Sequence, residues 1–514
     1  MHEIITLQLG QRSNYLGTHF WNAQESYFTY SSNEESPIDH DVHFRPGIGV
    51  DGGETFTPRT VIYDLKGGFG SLRKVNALYG EIQDSNPAGQ WAGAVSTVRE
   101  EPIKPHVYQE SLEAGVSPPQ LTTDTVRYWS DFNRPFYHPK SIVQLNDYEL
   151  NSTLRPFESW TSGEELFGNL DKEHDLLDRD LRPFAEECDQ IQALQIMTSV
   201  DDAWGGFAAQ YLDRLRDEYG KTTLWVWGLE DSRKVPRAKK MLRSANVVRS
   251  LSDVSGQAST YVPLSVPVTQ LPSDISMSLE SDWHTSALLS TAMESITVLA
   301  RVKSSQGRVT LDQLEANLNL QGNRTISRLK CSIADEEEYN RRYARDEQED
   351  DRRSPRNANI ISANDMEDSR FELGFLPEQS KYRKKDHIFA QTEVLRGNFK
   401  IPDESSGEAD YERKHRRIAG LSVVEKHQIC LQFPLVDSFP KIFPNIPQHS
   451  SSIAVRGALA TSTDVANYIK NVKSRINPFI ALEERENLSN RLEEMIEAYE
   501  EGYISESEED DDDL

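Results

Sequence analysis

Apolar residues at the start of the chain follow two different spacings, one after the other. Residues Glu3 to Leu9 are mostly apolar, as in a β-strand, and Gly10 follows as a residue that tolerates unusual turn geometry. Beyond the glycine, large side chains recur every three or four positions, which is the spacing of one helix face. They are Leu16, Phe20, Ala23 and Tyr27. The pattern predicts a strand, a glycine turn and a helix.

The same order of elements returns further along the chain. The strand Thr60–Leu65 runs into the glycine-rich loop KGGFGS. The apolar run Ile191–Thr198 suits a buried parallel strand, and an amphipathic helix and a further strand, Thr222–Leu229, follow it. This order predicts an α/β fold, a mostly parallel sheet with helices on both faces. The loops after the first three strands would then meet at the carboxyl edge, where such sheets bind ligands.

The pattern changes in the second half of the chain. Helical spacing returns at residues 284–298 and in TLDQLEANL, but from residue 334 to 417 charged residues dominate. Such a segment buries too little apolar surface to offset its ordering entropy, so we predict a largely disordered insertion. The predicted divisions are an α/β domain at 1–270, a second α+β domain at 271–333 and 418–480, the insertion at 334–417, a C-terminal helix at 481–503 and an acidic tail at 504–514.

The net charge of the chain excludes some classes of binding partner. The 83 acidic and 56 basic residues give a net charge of −27, which repels nucleic acids and anionic lipid headgroups, so we expect no nucleic-acid partner. No apolar run is long enough for a transmembrane segment, and the N-terminus lacks the features of a targeting signal. The three cysteines have no paired spacing, which favours a reducing compartment. We therefore expect a cytosolic protein, with peripheral attachment to an organelle through a receptor as an alternative.

Three blocks of the sequence resemble a known family. The opening residues 1–21 are similar to the tubulin N-terminus, and residues 188–199 resemble the segment before the tubulin glycine-rich loop. The blocks AEECDQIQALQ and YWSDFNRPFYHPKSIVQL are similar to the Misato family, called the DML family in fungi, and the chain is identified as a fungal member. The positions shared with the tubulin N-terminus are Gly10, Gln11, Asn14, Gly17, Phe20 and Trp21.

This resemblance implies a fold and a function. The implied fold is tubulin-like α/β, in which a mostly parallel, Rossmann-type sheet flanked by helices precedes a smaller α+β domain and a C-terminal helix. The implied role is in mitochondrial distribution and morphology, partitioning, and inheritance of mitochondrial DNA, at the outer mitochondrial surface and in the cytoplasm. The implied partners are proteins: tubulin, the cytosolic chaperonin or a receptor on the outer mitochondrial surface.

The glycine-rich phosphate loop of tubulins is altered in this sequence. The resemblance places that loop on Asp201–Phe207, where only Gly205 and Gly206 keep their glycines. A carboxylate about 4 Å from a phosphate charge costs roughly 1 kcal/mol in bulk water and several near a protein surface. We therefore predict a non-catalytic protein without a cofactor. The predicted vestigial nucleotide pocket consists of Gly10, Gln11, Arg12, Asn14, Asp64, Lys66, Asp201, Asp202, Ala203, Trp204, Gly205 and Gly206.

Three interpretations of Asp201 and Asp202 remain open. Lys66 stands where the resembling tubulin motif has an acidic residue, so it is a candidate to pair with either aspartate across two converging loops. The aspartates are alternatively N-caps of the helix that starts near Gly205. The third interpretation is a divalent metal site, although two adjacent acids without further ligands form an incomplete cage.

Other candidate groups have ordinary structural explanations. A tubulin-type GTPase would need a catalytic acid from a neighbouring subunit, and Asp312 and Glu315 are the candidates, but both fit an exposed helix face. Tyr261, Trp129 and Phe132 fit a core. Two rival functions therefore stand beside the first: a GTP-binding, polymerising tubulin relative, and an assembly cofactor for tubulin or the chaperonin.

Overall fold

The computed structural model describes residues 2–29, 35–50, 52–74, 76, 78–79, 103–267, 271–272, 274–303, 307–333, 336–337, 339–341, 373–377, 386–399, 422–447 and 450–500. The strands of the first half of the chain are β1 (Glu3–Leu9), β2 (Phe44–Ile48), β3 (Glu54–Pro58), β4 (Thr60–Lys66), β5 (Ile142–Glu149), β6 (Ile191–Ser199), β7 (Thr223–Leu229) and β8 (Thr260–Leu264). Six of them form a parallel sheet in the order β5-β4-β1-β6-β7-β8, and β2 and β3 form a separate antiparallel hairpin. The predicted parallel α/β sheet is confirmed.

Helices cover both faces of this sheet. The described helices of the chain are α1 (Gln11–Ser26), α2 (Val107–Glu113), α3 (Trp160–His174), α4 (Arg182–Ala185), α5 (Ala203–Glu218), α6 (Arg237–Gln257), α7 (Asp282–Thr297), α8 (Leu311–Leu318), α9 (Thr463–Ser474) and α10 (Leu482–Glu500). Shorter helical turns occur at His40–Val42, Trp129–Phe132, Pro139–Ser141, Leu177–Leu181 and Val298–Ala300. Side chains of α1 and α7 form the core on one face, and those of α3, α5, α6, α9 and α10 form the core on the other.

A second sheet follows in the chain. Its strands and those of a short two-stranded ribbon are β9 (Arg328–Ile333), β10 (Leu373–Gly374), β11 (Ile388–Arg396), β12 (Val423–Ile429), β13 (Phe433–Pro434), β14 (Ser452–Ile453) and β15 (Val455–Ser462). The larger sheet has the order β10-β9-β15-β11-β12, and only the pair β11-β12 is parallel. α10 packs through a buried stripe that includes Leu488, Leu492 and Ile496, so the predicted C-terminal helix is confirmed.

The prediction of a largely disordered insertion at 334–417 is wrong for residues 388–396. These residues form β11, which pairs with β12 and β15 and is buried along its whole length. The charged residues of β11 are neutralised by distant partners, because Glu393 pairs with Arg456 and Arg396 pairs with the buried Glu294. Most of the remaining insertion, and all of the predicted acidic tail, lie outside the described residues.

Glu294 of α7 is the centre of a buried ionic cluster. Its carboxylate contacts the guanidinium groups of Arg301, at 2.5 Å, and Arg396 of β11. The hydroxyl of Tyr27 donates to Glu294 at 2.9 Å and accepts a hydrogen bond of 2.9 Å from Arg396. Burial raises the pKa of Glu294, but the two guanidinium groups outweigh that effect and hold the pKa below its ordinary value. Tyr27, just after α1, and Glu294 of α7 pack on the first sheet, and Arg396 belongs to the second sheet. The cluster therefore joins the two sheets.

We expect Glu294→Ala to lower the free energy of unfolding by about 3–5 kcal/mol, because it leaves two buried guanidinium groups without a counter-charge. Denaturant unfolding measures the change. The matched control is Glu218→Ala, which removes an exposed pair with Arg182 and should cost less than about 1 kcal/mol. Equal losses in the two variants would contradict a central role for the Glu294 cluster.

Candidate functional site

A fully buried carboxylate, Asp64, lies at the carboxyl ends of the neighbouring strands β1 and β4. Its oxygens accept hydrogen bonds from four donors. The donors are Gln11 Nε2 at 2.5 Å, Asn14 Nδ2 at 2.8 Å, Trp129 Nε1 at 3.1 Å and the backbone N–H of Leu65 at 2.8 Å. Burial raises the pKa of Asp64 to about 6, although these hydrogen bonds oppose the shift. The carboxylate thus ties three segments of the chain together.

The segment that corresponds to the tubulin phosphate loop leads directly into α5. Asp202 is the N-cap of this helix, and its side chain accepts a hydrogen bond of 2.9 Å from the N–H of Trp204. This confirms the capping interpretation for Asp202. A helix N-terminus with free N–H groups attracts phosphate, but here a carboxylate of the chain itself occupies that position.

Arg12 neutralises both aspartates of the loop. Its Nη2 lies 2.7 Å from Asp201 Oδ1 and 3.1 Å from Asp202 Oδ2. Asp201, only 3% exposed, also accepts a hydrogen bond of 3.1 Å from the backbone N–H of Asp231. Burial lowers the pKa of Arg12, but the neighbouring carboxylates outweigh burial and raise it above its ordinary value. Burial raises the pKa of Asp202, and Arg12 opposes that shift.

The proposed pairing of Lys66 with these aspartates is wrong. Lys66 is exposed at the end of β4, and in the described part of the chain no ion pair joins it to Asp201 or Asp202. The guanidinium of Arg12 projects from the first turn of α1 and reaches both carboxylates instead. Arg12 was in the predicted pocket, but the sequence did not identify it as the counter-charge.

Trp204 fills the space beneath the first glycine turn. A Cβ atom placed on Gly10 would lie 2.3 Å from the indole nitrogen of Trp204, so the ring packs directly on the Gly10 backbone. The indole is 4% exposed and makes edge contacts with Phe157 and Phe207, at centroid distances of 5.3 and 5.5 Å. An aromatic side chain therefore stands where Gly10 faces the phosphate loop.

The two glycines that remain from the loop have a packing role. Both lie inside α5, not in the loop before it. A Cβ on Gly206 would lie 2.0 Å from the carbonyl oxygen of Trp160, and one on Gly205 would lie 2.2 Å from Ser250 Oγ. On the facing helix, a Cβ on Gly163 would lie 1.7 Å from the carbonyl oxygen of Ala203. The glycines allow α3 and α6 to approach α5 closely, which explains their presence without a nucleotide.

A small cavity remains beside Arg12. Its volume is about 40 Å³, which is room for a few water molecules and much less than a nucleotide needs. Leu16, Leu229 and Leu289 line its apolar side. Its charged lining residues are Arg12, Glu230, Asp231, Arg233 and Asp282.

Three site residues were missed in the sequence. Arg243 contacts Asp231 at 2.9 Å and lies 3.8 Å from Asp201. Asn246 Nδ2 donates to the carbonyl oxygen of Asp201 at 3.0 Å. Asp231 follows β7 at the carboxyl edge of the sheet, so the rule that located the other loops could have included it. No sequence signal distinguishes Arg243 and Asn246, which are inner-face residues of α6.

The remaining candidates do not join the site. Asp312 and Glu315 belong to α8, whose first N–H donates to Gln192 at the amino end of β6, at the edge of the sheet opposite the site. Tyr261 and Trp129 are fully buried, as predicted for core residues, although Trp129 also bonds to Asp64. Among the described residues, no cluster of His, Cys, Asp and Glu side chains is arranged to hold a metal ion.

Comparisons with known proteins give matches along the whole chain. Residues 2–114 match the family model described as the Misato Segment II tubulin-like domain, and residues 118–302 match the model described as the Tubulin domain. Protein dml1 of Aspergillus niger is 48% identical, and the match covers 100% of both chains. With the same coverage, Protein dml-1 of Neurospora crassa is 45% identical and Protein DML1 of Yarrowia lipolytica is 28% identical.

Arg12→Ala and Asp201→Ala should be strongly coupled in a double-mutant cycle. Each single variant removes the shortest ion pair of a buried charge, although Asp202 stays near Arg12 and Arg243 stays near Asp201. The double variant should therefore lose less stability than the sum, with a coupling energy of about 1–3 kcal/mol. Denaturant unfolding of the four proteins measures it. The control cycle pairs Asp201→Ala with Lys66→Ala and should be additive within about 0.5 kcal/mol. Coupling in the Lys66 cycle but not in the Arg12 cycle would contradict the assignment.

Proposed function

We propose that this chain, which belongs to the Misato family of tubulin-like proteins as a fungal DML member, is a non-catalytic protein of mitochondrial distribution. In this proposal it acts in partitioning mitochondria and in the inheritance of mitochondrial DNA. The mitochondrial part follows from the family resemblance, and the non-catalytic part from the geometry of the altered phosphate loop. The tubulin-like fold then serves as a scaffold whose surfaces bind other proteins.

One observation carries the non-catalytic part: Arg12 is paired with Asp201 and Asp202 where phosphates would lie. A nucleotide would bring further negative charge to these carboxylates or would have to separate Asp201 from Arg12. Breaking a buried ion pair costs about 3–5 kcal/mol, which corresponds to a loss of roughly 100-fold or more in affinity. The indole of Trp204, packed on Gly10, adds a steric obstacle at the same place.

The carboxylates that a phosphate site would use for metal or water already have structural partners. Asp64 accepts four hydrogen bonds, and Asp202 caps α5. Both would have to break these contacts in order to orient an attacking water or a metal-bound phosphate. This supports a binding role over the rival GTP-binding, polymerising role.

The partners that we propose are proteins at the outer mitochondrial surface or in the cytoplasm. Tubulin, the cytosolic chaperonin and an outer-surface receptor are the candidates that the resemblance implies. Among the described helices, none is both long and apolar enough to span a lipid bilayer. Co-purification with tubulin or the chaperonin alone, and never with mitochondria, would favour the assembly-cofactor alternative.

Protein purified without added nucleotide should contain far less than one guanine nucleotide per chain, because Arg12, Trp204 and the two aspartates fill the phosphate position. Denaturation followed by ion-exchange chromatography measures the nucleotide content, and calorimetric titration with millimolar GTP measures binding. A tubulin preparation carried through the same steps is the positive control. Near-stoichiometric guanine nucleotide would overturn the non-catalytic part of the proposal.

Deleting the gene for this chain in its fungal host should disturb the distribution of mitochondria and lower the retention of mitochondrial DNA. Fluorescence microscopy of a matrix marker and quantitative amplification of mitochondrial DNA measure the two effects. Re-expressed wild-type chain should restore both. Asp202→Asn, which keeps a capping oxygen and removes a charge, should restore both equally well. Normal mitochondria in the deletion strain would overturn the mitochondrial part alone.

A further inference from the structure

A cluster of basic residues stands out at the start of α6. In a chain of net charge −27, six of the eleven residues 233–243 are lysine or arginine. Three of these are engaged, since Arg233 and Arg243 pair with Asp231 and Lys239 pairs with Glu158. The other three are exposed and have no ion-pair partner within the described part of the chain. These three, Lys234, Arg237 and Lys240, are the α6 basic patch.

The α6 basic patch does not stabilise its own helix. The first turn of α6 contains no acidic residue, and its N-cap is Pro236, which makes no side-chain capping bond. A helix N-terminus carries about half a positive charge, so cations there are unfavourable by a few tenths of a kcal/mol each. The patch therefore has a local electrostatic cost, and a bound anionic group would remove that cost.

We propose that the C-terminal segment 501–514 of the same chain, which contains the predicted acidic tail and is called the tail below, docks on the α6 basic patch. Charge complementarity is the first argument, because eight of these fourteen residues are Asp or Glu and none is Lys or Arg. A segment of this composition has high negative charge within a short length, and it matches three neighbouring cations that have no ion-pair partner among the residues that the structure describes. The proposal does not rest on the proposed mitochondrial function.

The tail is also long enough to span the distance from Glu500 to the patch. The tail starts after Glu500, whose side chain pairs with Lys470 of α9. α10 runs beside α6 in the same direction, because Glu484 pairs with Arg249 and Ser255 contacts Met495 further along both helices. At a rise of about 1.5 Å per residue, Glu500 therefore lies about 30 Å from Lys240 along the helix axes. Residue 513 can extend about 43 Å beyond Glu500, so the acidic residues 509–513 reach the patch.

Because the tail and the patch belong to the same chain, weak contacts are enough to hold the tail on the patch. Each exposed ion pair is individually weak and is screened by salt. A short tether, however, keeps the tail at a local concentration in the millimolar range near the patch. The contact should weaken as ionic strength rises.

Zero-length carbodiimide cross-linking of the full chain tests the proposal, with mass spectrometry of the monomer band. We expect tail carboxylates to cross-link to Lys234 and Lys240 at least fivefold more than to the exposed Lys172 and Lys221. The yield should fall severalfold in Arg237→Glu, which keeps both patch lysines, and in high salt. The matched control Lys221→Glu, with the same charge change on another element, should keep the wild-type yield.

Two results would overturn the inference. Cross-links spread evenly over the exposed lysines, and unchanged in Arg237→Glu, would mean that the tail has no preferred site. Cross-links to the patch in the dimer band only would mean that the tail of a second copy is the occupant. Thermal unfolding of both variants verifies that they are folded, which is expected because both substituted side chains are exposed.

Discussion

Buried carboxylates hold both ends of α1, and the arrangement of the whole molecule depends on this constraint. Near its start, Gln11 and Asn14 bond to Asp64, and Arg12 pairs with Asp201 and Asp202. Just beyond its end, Tyr27 bonds to Glu294, which also holds Arg396 of the second sheet. One helix thus connects the closed phosphate position to the joint between the two sheets. Neither end is free to move without breaking a buried ionic contact.

The sequence predicted what regular apolar spacing controls. β1, β4, β6 and β7 are apolar runs between turn residues, and the structure buries them in a parallel sheet as expected. β11 was missed because it lies within a strongly charged stretch of sequence, although five of its nine residues are apolar. Its Glu393 and Arg396 have partners 63 and 102 positions away, and a single sequence gives no sign of which distant residues will neutralise a charge.

In the candidate site, too, the location of several residues could be predicted from the sequence, but the contacts between them could not. The site residues after β1, β4 and β6 followed from the rule that strand ends meet at one edge of a sheet, and the altered loop followed from residue types alone. The contacts within it did not, because Arg12 and Lys66 are both cations on converging loops and only side-chain direction separates them. The retained glycines were similarly ambiguous. Gly205 and Gly206 serve helix packing, so a remnant of a nucleotide motif does not by itself indicate a nucleotide.

The indole of Trp204 beneath Gly10 has a consequence for timing. Nucleotide-driven proteins change shape because a phosphate is present before hydrolysis and absent after it. In the proposed non-catalytic protein, tryptophan and aspartate side chains, which are covalent parts of the chain, hold that position, so nucleotide hydrolysis would not switch this loop. Control of such a protein would come from its abundance and from the partners that bind its surfaces.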